Sequence, residues 1–188
     1  MSKLVAVFGS ARLAAQDPLY EATRALGYSL AKQGHTIMTG GYDGIMAAAS
    51  QGASEAGGQV IGVTVTQLEL QYERTPNQWL TQEIRYDTMR ERLHHLVMHP
   101  DAYIIMPGGV GTLQEIAEVW QMFRLNELPH RPMILYGRFW HAMFETMLQS
   151  GFVSTEDWES VYTVETPDEV VNILTHWKTE AAQTPNGS

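Results

Sequence analysis

Between Ala102 and Glu115 the chain reads AYIIMPGGVGTLQE, and this stretch holds residues suited to chemistry. Gly108, Gly109 and Gly111 let a backbone turn tightly and approach a ligand without Cβ hindrance. Their N–H groups lie where a following helix dipole is positive, which makes a cradle for phosphate. Glu115 adds a carboxylate able to stabilise developing positive charge or to activate water. The same letters carry a purely structural reading. Thr112-Leu113-Gln114-Glu115 is a capping box in which Thr112 caps the helix and Glu115 reaches back to the Thr112 amide. Anion sites and caps exploit the same unsatisfied N–H groups, so on the local sequence both readings stay open.

A strand and a helix must position these residues. Tyr103-Ile104-Ile105-Met106 is apolar without alternation, as for a strand covered on both faces in a parallel sheet, and Pro107 ends it. From Leu113, the apolar residues Ile116, Ala117, Trp120 and Phe123 fall at helical spacing, which puts Glu115, Glu118 and Gln121 on the surface.

The rest of the chain repeats this unit. Residues 3–8 (KLVAVF) read as a first strand, followed by Gly9-Ser10-Ala11-Arg12 at its carboxyl end. GSARLA lacks the second and third glycines of the dinucleotide fingerprint, which disfavours NAD. A helix over 20–33, with Gly34 as its C′ residue, leads to a second strand at 35–38. That strand ends in TGGYDGIM (39–46), a second glycine loop opening an alanine-rich helix; its structural reading is a close helix-to-sheet approach. Residues 59–66 form a third strand. The polar stretch 67–87 has no clear period and reads as a long loop covering a ligand or a partner. Thr88-Met89-Arg90-Glu91 is a capping box for a helix over 89–98 with Met89, Leu93, Leu96 and Val97 inward. Taken alone, Arg92 on that helix is a surface residue pairing with a neighbouring carboxylate. His95 and His99 lie four apart, but no third ligand follows, so they read as exposed residues at the helix end rather than a metal pair. Beyond the central motif come a fifth strand (132–136), a helix (140–149) with Met143, Phe144 and Met147 inward, a short edge strand (161–164), and a helix started by Thr166-Pro167-Asp168-Glu169. Alternating strands and helices, with glycine turns after strands one, two and four, specify the α/β class. The expected fold is a doubly wound parallel sheet, Rossmann-like, with helices on both faces and the ligand beyond the carboxyl ends of the strands.

With 188 residues and 44% hydrophobic content, the chain fits a single nucleotide-binding domain over 1–180, followed by a disordered tail at 181–188. A net charge of −9 argues against nucleic acid or an anionic membrane as partner. The absence of cysteine excludes disulfides, thiolate metal sites and cysteine nucleophiles. No leader pattern or membrane span is legible, so a cytoplasmic location is expected.

The stretch from Pro107 to Glu115 matches the PGGxGTxxE motif of the LOG (LONELY GUY) family, long labelled "lysine decarboxylase-like", whose characterised members are cytokinin riboside 5′-monophosphate phosphoribohydrolases. The turn at Gly9 resembles the family's GSxR turn, and the loop at Gly40 its GGxxGxM segment. The family's Met-x-x-Arg-Lys helix start is similar to Met89-Arg90-Glu91-Arg92, with the arginine at the family's spacing before the motif proline and Leu93 in place of the lysine. The resemblance runs over residues 4–175. It implies an enzyme that hydrolyses the N-glycosidic bond of a nucleoside 5′-monophosphate, a cytokinin riboside monophosphate or AMP, to free base and ribose 5-phosphate. Arg92 and Glu115 would be catalytic. Gly9, Ser10, Arg12, Gly40, Gly41, Met89, Pro107, Gly108, Gly109, Gly111 and Thr112 would bind substrate and its phosphate. No cofactor and no metal are implied, and family members are commonly homodimers. Pyridoxal phosphate chemistry, which the old label suggests, needs a Schiff-base lysine. Lys3, Lys32 and Lys178 all lie off the glycine turns. The rival reading is a carrier: molybdenum cofactor carrier proteins are similar in fold and need the cradle, but not the pair Glu115 and Arg92.

Overall fold

The computed structural model describes residues 2–154 and 156–177. Its elements follow in the order β1 (Leu4–Phe8), α1 (Pro18–Lys32), β2 (Thr36–Thr39), α2 (Ile45–Glu55), β3 (Val60–Val65), α3 (Thr66–Tyr72), β4 (Gln82–Tyr86), α4 (Met89–Met98), β5 (Ala102–Ile105), α5 (Val110–Arg124), β6 (Met133–Tyr136), α6 (Arg138–Gln149), β7 (Val161–Val164) and α7 (Pro167–His176). A 3-10 turn at Glu156–Trp158 precedes β7. The strands form one sheet in the order β4-β3-β2-β1-β5-β6-β7, every pair parallel.

Alternate residues of the central strands feed two cores. Val5 and Val7 join Leu26 and Leu30 of α1, Ile45 and Ala49 of α2, and Val170 and Leu174 of α7. Ala6 and Phe8 join Leu96 of α4, Ile116 and Trp120 of α5, and Trp140 and Phe144 of α6. Both sheet faces are therefore covered, which is why these strands read as unbroken apolar runs. Burying each large apolar side chain contributes about 1.5–3 kcal/mol, so the two cores outweigh local helix propensity in holding the layers together. On one face, α1 and α2 approach so closely that a Cβ on Gly27 would meet the Ala49 carbonyl, and one on Gly52 the Arg24 carbonyl.

Two sequence expectations need correction. Residues 67–87 are not a loop: they hold most of α3, and β4, which pairs in register from Ile61↔Gln82 to Val65↔Tyr86. This edge strand shows only the half-buried pair Ile84 and Tyr86 on its inner face, too short an alternation to stand out, and no residue of α3 is buried. Also, Ala117 is exposed and Met147 is 39% exposed, so neither joins the core. The helix starts at Thr88 and Thr166 do carry complete capping boxes, and Gly34 follows α1 with φ of 82°. Residues 181–188 lie outside the described residues. Among those described, no helix is long and apolar enough to cross a membrane.

Candidate active site

The strand order reverses between β1 and β5, so their two following loops diverge and leave a crevice at the carboxyl edge. Backbone contacts draw three turns to this point. Ser10 N–H donates to the Pro107 carbonyl (3.1 Å), and Ile45 N–H donates to the Ser10 carbonyl (2.9 Å). The Ser10 hydroxyl accepts from the Arg12 amide (3.1 Å), which tightens the first turn and leaves the Arg12 side chain exposed at the rim. Gly44, with φ of 64°, sits against Ser10 and Ala11, where a side chain would collide with the first turn. Gly41, with φ of 83°, bends the second loop back and donates its N–H to Thr39 Oγ1 (3.1 Å).

The third turn is built differently from the capping box. Helix α5 begins at Val110, capped by the backbone of Gly109 with no side-chain hydrogen bond. Thr112 therefore lies inside the first turn, buried, with its hydroxyl where a Cβ on Gly108 would be. Glu115 is released from any capping role and stands in the second turn. The first-turn N–H groups of α5 are left pointing out of the helix end, where its dipole is positive. A Cβ on Gly109 or Gly111 would meet nothing within 4 Å. Neither glycine is required by the protein's own packing, and the space beside both is open.

Arg92 and Glu115 face each other across α4 and α5, and both depart from the surface positions their local sequence suggests. Arg92 is 6% exposed. Its Nε donates to the Val63 carbonyl of β3 (2.7 Å) and its Nη2 to the Gly40 carbonyl (3.1 Å), so backbone, not a carboxylate, anchors it. Gly40 must be glycine here, because a Cβ would collide with that same Nη2. Nη1 donates no hydrogen bond among the described residues, and no fully buried side-chain polar atom there lacks a partner; Nη1 is therefore not sealed from solvent. The ring of Tyr42 lies 5.7 Å from the guanidinium carbon. Burial lowers the Arg92 pKa, while the charge of Glu115 raises it.

Glu115 is half-buried at the crevice floor, its carboxyl still reached by solvent but with protein on most sides. That burial pushes its pKa up to about 7, with the Arg92 charge pulling the other way. No Arg92–Glu115 ion pair within 4.0 Å forms among the described residues, so the carboxyl remains available to a substrate. Half-buried Met89 borders a groove of about 630 Å³ between the same two helices, lined also by Arg90, Leu93, His94, Gln114 and Glu118.

His95 is partly buried rather than exposed: it hydrogen-bonds the Tyr86 hydroxyl (2.8 Å) and stacks on His99 with ring centroids 3.9 Å apart. Among the described residues, no group of three His, Cys, Asp or Glu could hold a metal ion. Sequence reasoning missed Tyr42 and the Val63 carbonyl, and also Asn77, which clamps the second loop through the Gly41 and Tyr42 carbonyls. None of these carries a local signal, because each acts through a partner distant in sequence. The structure thus sets the open N-terminus of α5 near a half-buried carboxyl whose pKa is raised by burial and a buried, backbone-anchored cation.

Three comparisons bear on this site. The family described as possible lysine decarboxylase matches residues 46–174. A cytokinin riboside 5′-monophosphate phosphoribohydrolase of Mycobacterium tuberculosis is 29% identical over 153 residues, covering 78% of this chain and 80% of the relative. Another of that name, from Arabidopsis thaliana, is 30% identical over 146 residues, covering 73% of this chain and 65% of the relative. Among solved structures, the molybdenum cofactor binding protein from Rippkaea orientalis superposes with a TM-score of 0.71 at 23% identity, covering 93% of this chain and 96% of that one. That last likeness is one of fold.

Proposed function

The chain belongs to the LOG-type family described as possible lysine decarboxylase, and from that premise we propose that it hydrolyses the N-glycosidic bond of a nucleoside 5′-monophosphate. The substrate is a cytokinin riboside monophosphate or AMP, and the products are free base and ribose 5-phosphate. The observation that carries this reading is Glu115, whose half-buried carboxyl ionises at about 7 beside Arg92 and the open turn of α5. The 5′-phosphate lies on the N–H groups of the turn at Gly108, Gly109 and Gly111 with Thr112, and Arg12 and Gly41 help from the rim. As the bond to the base breaks, positive charge grows on C1′ and the ring oxygen; the Glu115 carboxylate stabilises it and takes a proton from the attacking water. Arg92 orients Glu115 and the ribose hydroxyls and assists the departing base. A homodimer belongs to the same reading, and sedimentation should give a mass twice the 21.1 kDa of the chain.

Schiff-base chemistry finds no support at this site. Lys3 precedes β1 and Lys32 ends α1, both at the sheet edge opposite the crevice, while Lys178 lies outside the described residues.

Incubating the purified protein with AMP and with isopentenyladenosine monophosphate, and following free base and ribose 5-phosphate by chromatography, tests the proposal. Base release should fall by about 10²-fold or more in Glu115→Ala and in Arg92→Ala. No release from either nucleotide, with nucleotide or molybdopterin still bound, would replace the hydrolase with a carrier.

A further inference from the structure

We propose that Tyr42 is a positioning residue for Arg92, its ring holding the guanidinium in the orientation that serves Glu115. This inference rests on the hydrolase reading for its catalytic consequence, but not for its geometry.

Tyr42 is 2% exposed and follows directly on the glycine whose neighbour, Gly40, accepts from Arg92 Nη2. Its ring centroid stands 5.7 Å from the guanidinium carbon, within the reach at which an aromatic face attracts a cation. The ring cannot swing away, because its hydroxyl is tied at both ends to one residue of β3. The hydroxyl accepts from the Val65 N–H (2.8 Å) and donates to the Val65 carbonyl (3.1 Å), with Glu69 of α3 at 3.5 Å. Val63, two residues earlier on the same strand, accepts from Arg92 Nε (2.7 Å). One strand thus fixes both the cation and the ring beside it.

A buried guanidinium with no carboxylate in ion-pair range among the described residues needs such support. Its carbonyl partners satisfy two nitrogens, and the ring offsets part of the cost of removing the charge from water. The charged groups acting on Arg92 are Glu115 and, through its ionised form, Tyr42; the one acting on Glu115 is Arg92; those acting on Tyr42 are Arg92 and Glu69. Without the ring the guanidinium is held by its two carbonyl partners alone and shifts toward water, which weakens the positive charge that favours the ionised form of Glu115.

The experiment measures the Glu115 carboxyl titration by carbon NMR in the full chain, assigned by its disappearance in Glu115→Gln, together with kcat and KM for AMP and the melting temperature. Three variants are compared: Tyr42→Leu, Tyr42→Phe, and Tyr42→trifluorophenylalanine, whose ring keeps its size but loses its negative face. Tyr42→Leu and the fluorinated variant should raise the Glu115 midpoint by about 0.5–1 pH unit and lower kcat about tenfold with KM nearly unchanged. Tyr42→Phe keeps the ring's negative face but loses the tie to Val65, so it should show a smaller rise in the midpoint and a smaller fall in kcat than the fluorinated variant, which lacks the hydroxyl as well. Should Tyr42→Leu fail to fold, the fluorinated variant decides alone. A lower melting temperature with an unmoved Glu115 titration would overturn the proposal and leave Tyr42 as core packing. If the wild type releases no base at all, the hydrolase reading falls, while the titration still decides whether the ring positions Arg92.

Discussion

Ionising a carboxyl surrounded by protein is costly, and the cost makes Glu115 a source of pH dependence in both rate and stability. Its pKa in the folded chain is about 7 against a usual 4.5. Catalysis needs the carboxylate, so kcat/KM for AMP should rise with pH through about 7 and then level off. Stability runs the other way. Between pH 4.5 and 7 the folded chain keeps a proton that the unfolded chain has released, so wild-type stability falls across that window, by at most about 3 kcal/mol. Glu115→Gln cannot ionise. In urea unfolding it should gain on the wild type between pH 5 and pH 8 while showing no base release; parallel pH curves for the two proteins would refute the shift. The motif singles out Glu115 and Arg92, yet helical spacing alone assigns both to the surface. Spacing reports the polar side of a helix, and here Arg92 and Glu115 leave that side for the protein interior while neighbours such as Arg90, His94, Gln114 and Gln121 stay exposed.

The α5 terminus shows how an element converts a turn into a binding surface. Gly111 lies in the first turn of α5 with no positive φ, and a Cβ there meets nothing within 4 Å. Gly111→Ala should therefore raise stability by about 0.5–1 kcal/mol through helix propensity. The methyl group would nonetheless intrude on the cradle, and KM for AMP should rise about tenfold with kcat less affected. A raised melting temperature with unchanged KM would show that the glycine does not serve the ligand. The same capping-box letters stand at Thr88, Thr112 and Thr166, and of these Thr88 and Thr166 form caps while Thr112 does not. The letters are equivalent; what differs is that Gly109 turns the chain into α5 before Thr112 is reached. Likewise β4, on an edge, offers only the half-buried pair Ile84 and Tyr86, too short an alternation to announce a strand, although its partner β3 reads plainly as one.

At the scale of the whole molecule, the segment between α3 and β4 ties the outer edge of the sheet to the site. Asn77 donates its amide N–H to the Gly41 carbonyl (2.8 Å), and its Nδ2 reaches the Gly41 (3.1 Å) and Tyr42 (3.0 Å) carbonyls, while Oδ1 accepts from Trp79 (3.2 Å). Asn77→Ala should cost about 1–3 kcal/mol and accelerate hydrogen exchange at Asn77 and Trp79 far more than in β5. Equal acceleration in β5 would mean that the clamp opens only with global unfolding. The sequence by itself determined the α/β alternation, the doubly wound parallel sheet, the glycine turns at the carboxyl ends of β1, β2 and β5, and the motif that points to Glu115. These follow from local periodicity and turn chemistry, which each element carries within its own residues. Only the tertiary structure decided that Arg92 is buried on the Val63 and Gly40 carbonyls, 29 and 52 residues away, that Tyr42 stands beside it, and that Glu115 faces inward. Those contacts join elements distant along the chain, and packing across the sheet, not any local pattern, brings them together.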